Sequence, residues 1–236
     1  FNFSAFSPQI NLVNPGGFLS GTDSGTPLDI AQGFLRSQAA SLGLTASDID
    51  TLQVVNNYQS VSSGVTHIYF QQVVNGIPVI NSNLNINITQ PGQVINVGSS
   101  ILPGVGTNTP TPNPQLTAVQ ALNSIVTEFG WTYEGTPLVK ETHIAGEAAA
   151  SVIASAGISK SADIPARLRY VPGTDGSLRL VWLLNVQTTD GQSWYDASVS
   201  ATDGSVLNVV DWSSRASYHA EEIPFESPLE KPTALI

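Results

Sequence analysis

The sequence predicts an α+β protein of two modules, each a helix followed by an antiparallel meander, joined by a Pro/Gly linker and flanked by extended N- and C-terminal segments. Three observations predict this class. Residues 65–79, VTHIYFQQVVNGIPV, alternate in facing and then turn at Asn75-Gly76, a pair that supplies both positive-φ positions of a type I′ hairpin turn. The second half carries three Asp-Gly turn signals between apolar runs, the mark of an antiparallel meander. Each half also opens on an amphipathic helical pattern behind a capping Thr. A curved sheet wrapping one helix buries the helix stripe and one sheet face together.

Residues 1–25 are punctuated by Pro, Gly and Ser and read as extended. Residues 26–100 form the first module. Thr26 is the expected N-cap, Pro27 the first helical residue, and Asp29 lies near the positive end of the dipole. Leu28, Ile30 or Ala31, Phe34, Leu35 and Leu42 give the helical stripe, and Gly43 closes it. Residues 45–50 look like one more short turn. Strands follow at 51–60 and 65–74, the second with bulky residues on both faces. The return begins at Ile77, where Pro78, lacking an N–H, suits a strand start or an edge. Leu84, Ile86 and Ile88 alternate with Asn83, Asn85 and Asn87, which reads as a half-buried strand with a solvated outer face rather than a binding face.

Residues 101–115, ILPGVGTNTPTPNPQ, form the expected linker. Residues 116–212 form the second module. Thr117 caps a helix through Phe129, and Gly130 ends it. Residues 147–157 stay ambiguous between helix and strand. Strands are expected at 138–144, 167–171, 178–186, 194–200 and 206–212. Trp182 shares a strand face with Leu180 and Leu184 and so reads as core. Residues 213–236 are a polar, Pro-punctuated tail, either a loose end or a strap laid on a partner.

With 236 residues the chain is long enough for a sizeable core or for two units of about 100 residues. Its net charge is −10, and its eight Lys and Arg do not cluster, which disfavours nucleic acid and anionic membrane surfaces as partners. No apolar run reaches the about 18 residues that a spanning helix needs. The absence of Cys excludes disulfides and thiol chemistry. The chain opens on Phe1 without a signal peptide, so a processed, secreted fragment is expected. Two sequons, at Asn2 and Asn87, permit glycosylation.

Catalytic signatures are missing. HExxH does not occur, and His67, His143 and His219 have no second His at metal-ligand spacing. His67 reads as a structural strand residue. No G-x-S-x-G, P-loop or dinucleotide fingerprint is present. No active site and no cofactor of the chain's own are therefore expected.

The hairpin string itself resembles the signature of the fungalysin/thermolysin propeptide domain, found in precursors of secreted zinc metalloproteases. Thr66, His67, Tyr69, Phe70, Gln71, Gln72, Asn75, Gly76, Ile77, Pro78 and Val79 carry the resemblance. The strings PARLRYVPGTDGSLRLVWLLNV and SWYDASVSATDGSVLNVVDW resemble the later part of the same propeptides, and the second half resembles a PepSY-type or second cystatin-like unit. The resemblance implies two cystatin-like modules, a metalloprotease catalytic domain as partner, and zinc in that partner. It implies two jobs: helping the catalytic domain fold, then blocking its cleft until removed. It also implies a cleft that accepts extended peptides with apolar side chains. Thr233, Ala234, Leu235 and Ile236 would lie there, with the Ile236 carboxylate on the partner's zinc; the plainer alternative is a frayed terminus. A free-standing cystatin-like inhibitor acting in trans, and a glycan-binding β module suggested by Trp182, Trp194 and Trp212, stay open as rivals.

Overall fold

A computed structural model describes residues 9–105, 112–143, 150–173 and 177–213. Helix α1 (Pro27–Ser37) starts at the expected cap, where the Asp29 N–H donates to Thr26 Oγ1 at 3.2 Å. Ile30, Ala31 and Leu35 are its buried stripe, and Arg36 lies in its last turn near the negative dipole end. The stripe does not continue as α-helix to Leu42. The chain tightens into a 3-10 turn (Ala40–Leu42), closed by Gly43 in the left-handed region. Helix α2 (Ala46–Asp50) and helix α3 (Ala118–Phe129) each open on a capping box, Thr45 with Asp48 and Thr117 with Gln120. Each cap stabilises its helix by about 1 kcal/mol.

Eleven strands carry most of the rest. They are β1 (Ile10–Val13), β2 (Leu52–Gln59), β3 (Thr66–Val74), β4 (Ile77–Ile88) and β5 (Val94–Ser99) in the first half. The second half adds β6 (Val139–His143), β7 (Ala150–Ala154), β8 (Asp163–Pro172), β9 (Leu178–Gln187), β10 (Trp194–Ser200) and β11 (Val206–Asp211). The ambiguous stretch 147–157 thus resolves to a strand over β7. The turn expected at Thr174-Asp175-Gly176 lies outside the described residues.

The expected α+β architecture of two cystatin-like, helix-plus-meander modules on a Pro/Gly linker is corrected by this arrangement. The described residues are mostly β, 43% in strands against 16% helical, and the strands form one mixed sheet of eleven. The reason lies in β4. Its twelve residues outrun the nine of β3. Both its ends pair with β3 around a register shift, its second part also pairs with β5, and Val79 between them meets Tyr170 of β8 in parallel. One strand therefore belongs to both halves.

Packing follows the same continuity. Val74, Ile77 and Val79 of the hairpin share a hydrophobic cluster with Ala121, Leu122 and Ile125 of α3. Leu102 and Val105, just past β5, are buried in that cluster too. The second cluster sets Ile30, Leu35 and Leu42 against Ile68, Phe70, Leu84 and Ile86. Burial of side chains this size stabilises by about 1.5–3 kcal/mol each, so both clusters hold the sheet from its helical side.

Candidate partner-binding surface

The residues that carry the hairpin signature divide between two faces of β3. Thr66, Ile68, Phe70, Gln72 and Val74 point inward and are buried, while His67, Tyr69 and Gln71 point outward and are half-buried. The strand is central, as its bulk suggested, yet only its inner face meets a helix layer.

Across the outer face, cross-strand register lines up Tyr58, His67, Asn87 and Asn96. The rings of Tyr58 and His67 stack at 5.0 Å, and His67 Nδ1 lies 2.6 Å from Asn87 Oδ1. Asn87 Nδ2 donates onward to Asn96 Oδ1 at 2.8 Å. The Tyr58 and Tyr69 rings also stack, 6.2 Å apart. Hydrogen bonding with Tyr58, then burial, then the charge on Tyr58 raise the Tyr69 phenol above its ordinary value. It stays a neutral donor at any physiological pH. Beside Tyr69 the row runs through Asn85, Gly98 and Asn11. A Cβ at Gly98 would lie 2.5 Å from Asn85 Oδ1, so the missing side chain lets the asparagines close over the sheet.

On the inner face, Gln72 is fully buried and fully engaged. Its Nε2 donates to the Leu102 carbonyl at 3.1 Å, and its Oε1 accepts from Ser82 Oγ at 2.6 Å and from the Leu102 N–H at 3.2 Å. The Asp48 carboxylate, also buried, accepts from Thr45 N–H, Thr45 Oγ1 and the Gly104 N–H. These bonds pin the segment after β5. Asn75 and Gly76 take φ of 49° and 77°, the turn the sequence predicts. Asn75 hydrogen-bonds Tyr170, which lowers that phenol's pKa against the larger rise from burial. Ile77, Pro78 and Val79 are buried where β4 meets β8.

Thr233, Ala234, Leu235 and Ile236 lie outside the described residues, as do Asn2 and His219. Asn87 is described: its Nδ2, the atom a glycan would take, is the donor to Asn96. Among the described residues no three His, Asp, Glu or Cys side chains gather to hold a metal ion, so a zinc ion has no cradle in them. Trp182 is core, donating its indole N–H to the Leu116 carbonyl at 2.8 Å. Trp194 and Trp212 are exposed, with indole N–H groups tied to Asn185 and Asp196.

Charge distribution adds a feature that residue counts conceal. Between Asp50 and Glu128 the sequence contains no Asp, Glu, Lys or Arg. Strands β2 to β5 fall inside that interval, so the outer face offers neutral amides, phenols and one imidazole. Protein interfaces lose charge and gain aromatics toward their centres.

Comparison with known proteins bears on the same strands. Residues 50–101 match the Fungalysin/Thermolysin Propeptide Motif. The chain is 30% identical over 229 residues to extracellular metalloproteinase 2 of Phaeosphaeria nodorum, covering 93% of this chain and 34% of that protein. It is 29% identical over 182 residues to extracellular metalloproteinase 10 of Coccidioides posadasii, covering 76% of this chain and 28% of that one. Against extracellular metalloproteinase 3 of Arthroderma gypseum it is 28% identical over 206 residues, covering 84% and 31%. The chain thus spans about a third of the length of the curated relatives it matches. Among solved structures, the C-terminal domain of Bacillus megaterium YpeB is 11% identical with a TM-score of 0.35, the match covering 86% of this chain and 71% of that one.

Proposed function

We propose that this chain, a propeptide of the fungalysin type and so a non-catalytic part of a metalloproteinase precursor, assists the folding of the precursor's zinc-dependent catalytic domain and then holds it inactive until removed. The observation that carries this reading is the propeptide motif over residues 50–101, set within similarity to extracellular metalloproteinases along most of the chain.

Assistance in folding means binding the native-like enzyme better than its unfolded chain. A binder present at about a thousand times its Kd stabilises its target by about 4 kcal/mol. Inhibition needs a specific interface, commonly about 1,600 Å² in total. Zinc would belong to the catalytic domain, since HExxH is absent here. In this reading Thr233, Ala234, Leu235 and Ile236 lie in the enzyme's cleft, and the Ile236 carboxylate meets the zinc as a product carboxylate would. The chain is secreted with its enzyme, as the names of its relatives suggest. A net charge of −10 supports a protein partner over nucleic acid or an anionic membrane.

The test is co-expression in trans of this chain with the bare catalytic domain of the same precursor. Recovery of folded but inactive enzyme, at a yield well above that of the catalytic domain alone, is expected. Unchanged yield and undiminished activity would overturn the proposal. Exposed Trp194 and Trp212 are the feature that favours the glycan-binding rival; retention on a glycan array without affinity for the enzyme would support it instead.

A further inference from the structure

Four strands lie at the borders of the sheet among the described residues: β1, β2, β6 and β11. A border strand presents a row of unpaired N–H and C=O groups, and proteins usually blunt such rows with charge, Pro, shortness, a bulge or cover. Strand β1 has only four residues. Strand β6 carries Lys140, paired with Asp163, and Glu141. Strand β11 ends on Asp211, whose carboxylate accepts from Ser193, Trp194 and Ser213. Of these devices strand β2 has only a bulge, at Val55. Its eight residues, LQVVNNYQ, contain no charge and no Pro.

Its side chains are also uncovered. Every residue of β2 after Leu52 is exposed, including Val54 at 40%, Val55 at 59% and Tyr58 at 47%. A register shift between Val54 and Asn56 makes Val55 the bulged residue, which bends the strand. It leaves uncharged backbone on either side of the bulge.

We propose that β2 is a docking edge, on which an extended, uncharged strand of the metalloprotease catalytic domain adds to the sheet, with Val54, Val55 and Tyr58 contacting its side chains. This rests on the reading of the chain as a propeptide that binds that enzyme. A free strand edge is satisfied by another extended backbone, and pockets or bulky side chains beside it then select the sequence. The absence of charge lowers the desolvation cost of closing such an interface. A second copy of this chain is the other conceivable occupant. Each copy carries −10, so mutual repulsion opposes it. The strand also lies inside the residues that match the propeptide motif.

The test uses the full chain and the catalytic domain of its precursor. Val55→Lys, and the double variant Val54→Lys with Val55→Lys, place charge on exposed positions, and circular dichroism checks that each remains folded. The double variant should weaken inhibition at least tenfold, and β2 amides in the parent should exchange at least tenfold more slowly in the complex. If the parent binds the enzyme but the variants bind equally well, or another border strand gains the protection instead, the docking edge is overturned while the propeptide reading survives. If the parent does not bind the enzyme at all, the propeptide reading itself has failed. A parent that self-associates through β2, with variants that become monomeric yet inhibit unchanged, would assign the edge to a second copy and overturn the inference.

Discussion

The side chain of Gln72 pairs with both backbone polar groups of Leu102, donating to its carbonyl at 3.1 Å and accepting from its N–H at 3.2 Å. An amide on β3 thereby stands in for a neighbouring strand and fixes the chain where it leaves β5. Gln72→Ala leaves the Leu102 carbonyl and Ser82 without this partner in a buried site. Unsatisfied buried groups cost about 1–3 kcal/mol each, so urea unfolding should show a loss of at least about 2 kcal/mol. A loss below about 0.5 kcal/mol, the scale of a surface substitution, would mean that the contact does not hold the segment.

Two turn glycines separate conformational strain from collision. Gly76 and Gly92 have φ of 77° and 82°, but a Cβ at Gly76 meets nothing within 4 Å, whereas one at Gly92 would lie 2.0 Å from the Asp23 carbonyl oxygen. Gly76→Ala should lose only the left-handed penalty of about 1–2 kcal/mol. Gly92→Ala should lose clearly more, because the approach of residues 20–25 to the β4–β5 turn must open. Equal shifts of the thermal midpoint in the two variants would contradict this.

Acid should weaken the turn between β10 and β11 through Asp203. Its carboxyl is held down at about 2 by the Ser205 N–H, the Ser200 hydroxyl and the Ser205 hydroxyl, against an ordinary 3.8. A pKa lowered on folding contributes stability above the unfolded value, and that contribution is lost as pH falls from about 4 toward 2. NMR titration of the Asp203 carboxyl should give a midpoint near 2, and Ser205→Ala should move it upward. A midpoint near 3.8 in the parent would rule out the turn geometry.

The tail is a test of inhibition rather than of stability. Deleting residues 229–236 removes Thr233, Ala234, Leu235 and Ile236 while leaving β2 and the rest of the sheet intact. The inhibition constant should rise by about a hundredfold, equivalent to about 2.7 kcal/mol of binding. An unchanged constant would discard the placement of Ile236 at the zinc.

Local features were legible in the sequence because local chemistry decides them. Thr26 and Thr117 cap helices, Asn75-Gly76 turns a hairpin, and the alternation of Leu84, Ile86 and Ile88 sets the inward face of β4. The architecture was not legible in the same way. It hinges on a parallel bridge between Val79 and Tyr170, residues far apart in the chain, and no periodicity encodes which distant strand a given strand will meet. Pro and Gly made residues 101–115 look like a tether, yet the apolar Leu102 and Val105 seat in the core. Of the candidate surface, the asparagine face was visible in the alternation, while the uncharged edge at β2 needed the pairing to be known. The charge-free interval from Asp50 to Glu128 could have flagged it, through charge placement rather than the net −10.

The most direct measurement is titration of the purified chain into the mature catalytic domain of its precursor, following hydrolysis of a peptide substrate. The account predicts saturable, stoichiometric loss of activity with a Kd in the nanomolar range, about −12 kcal/mol. Full activity at a large molar excess of folded chain would contradict it.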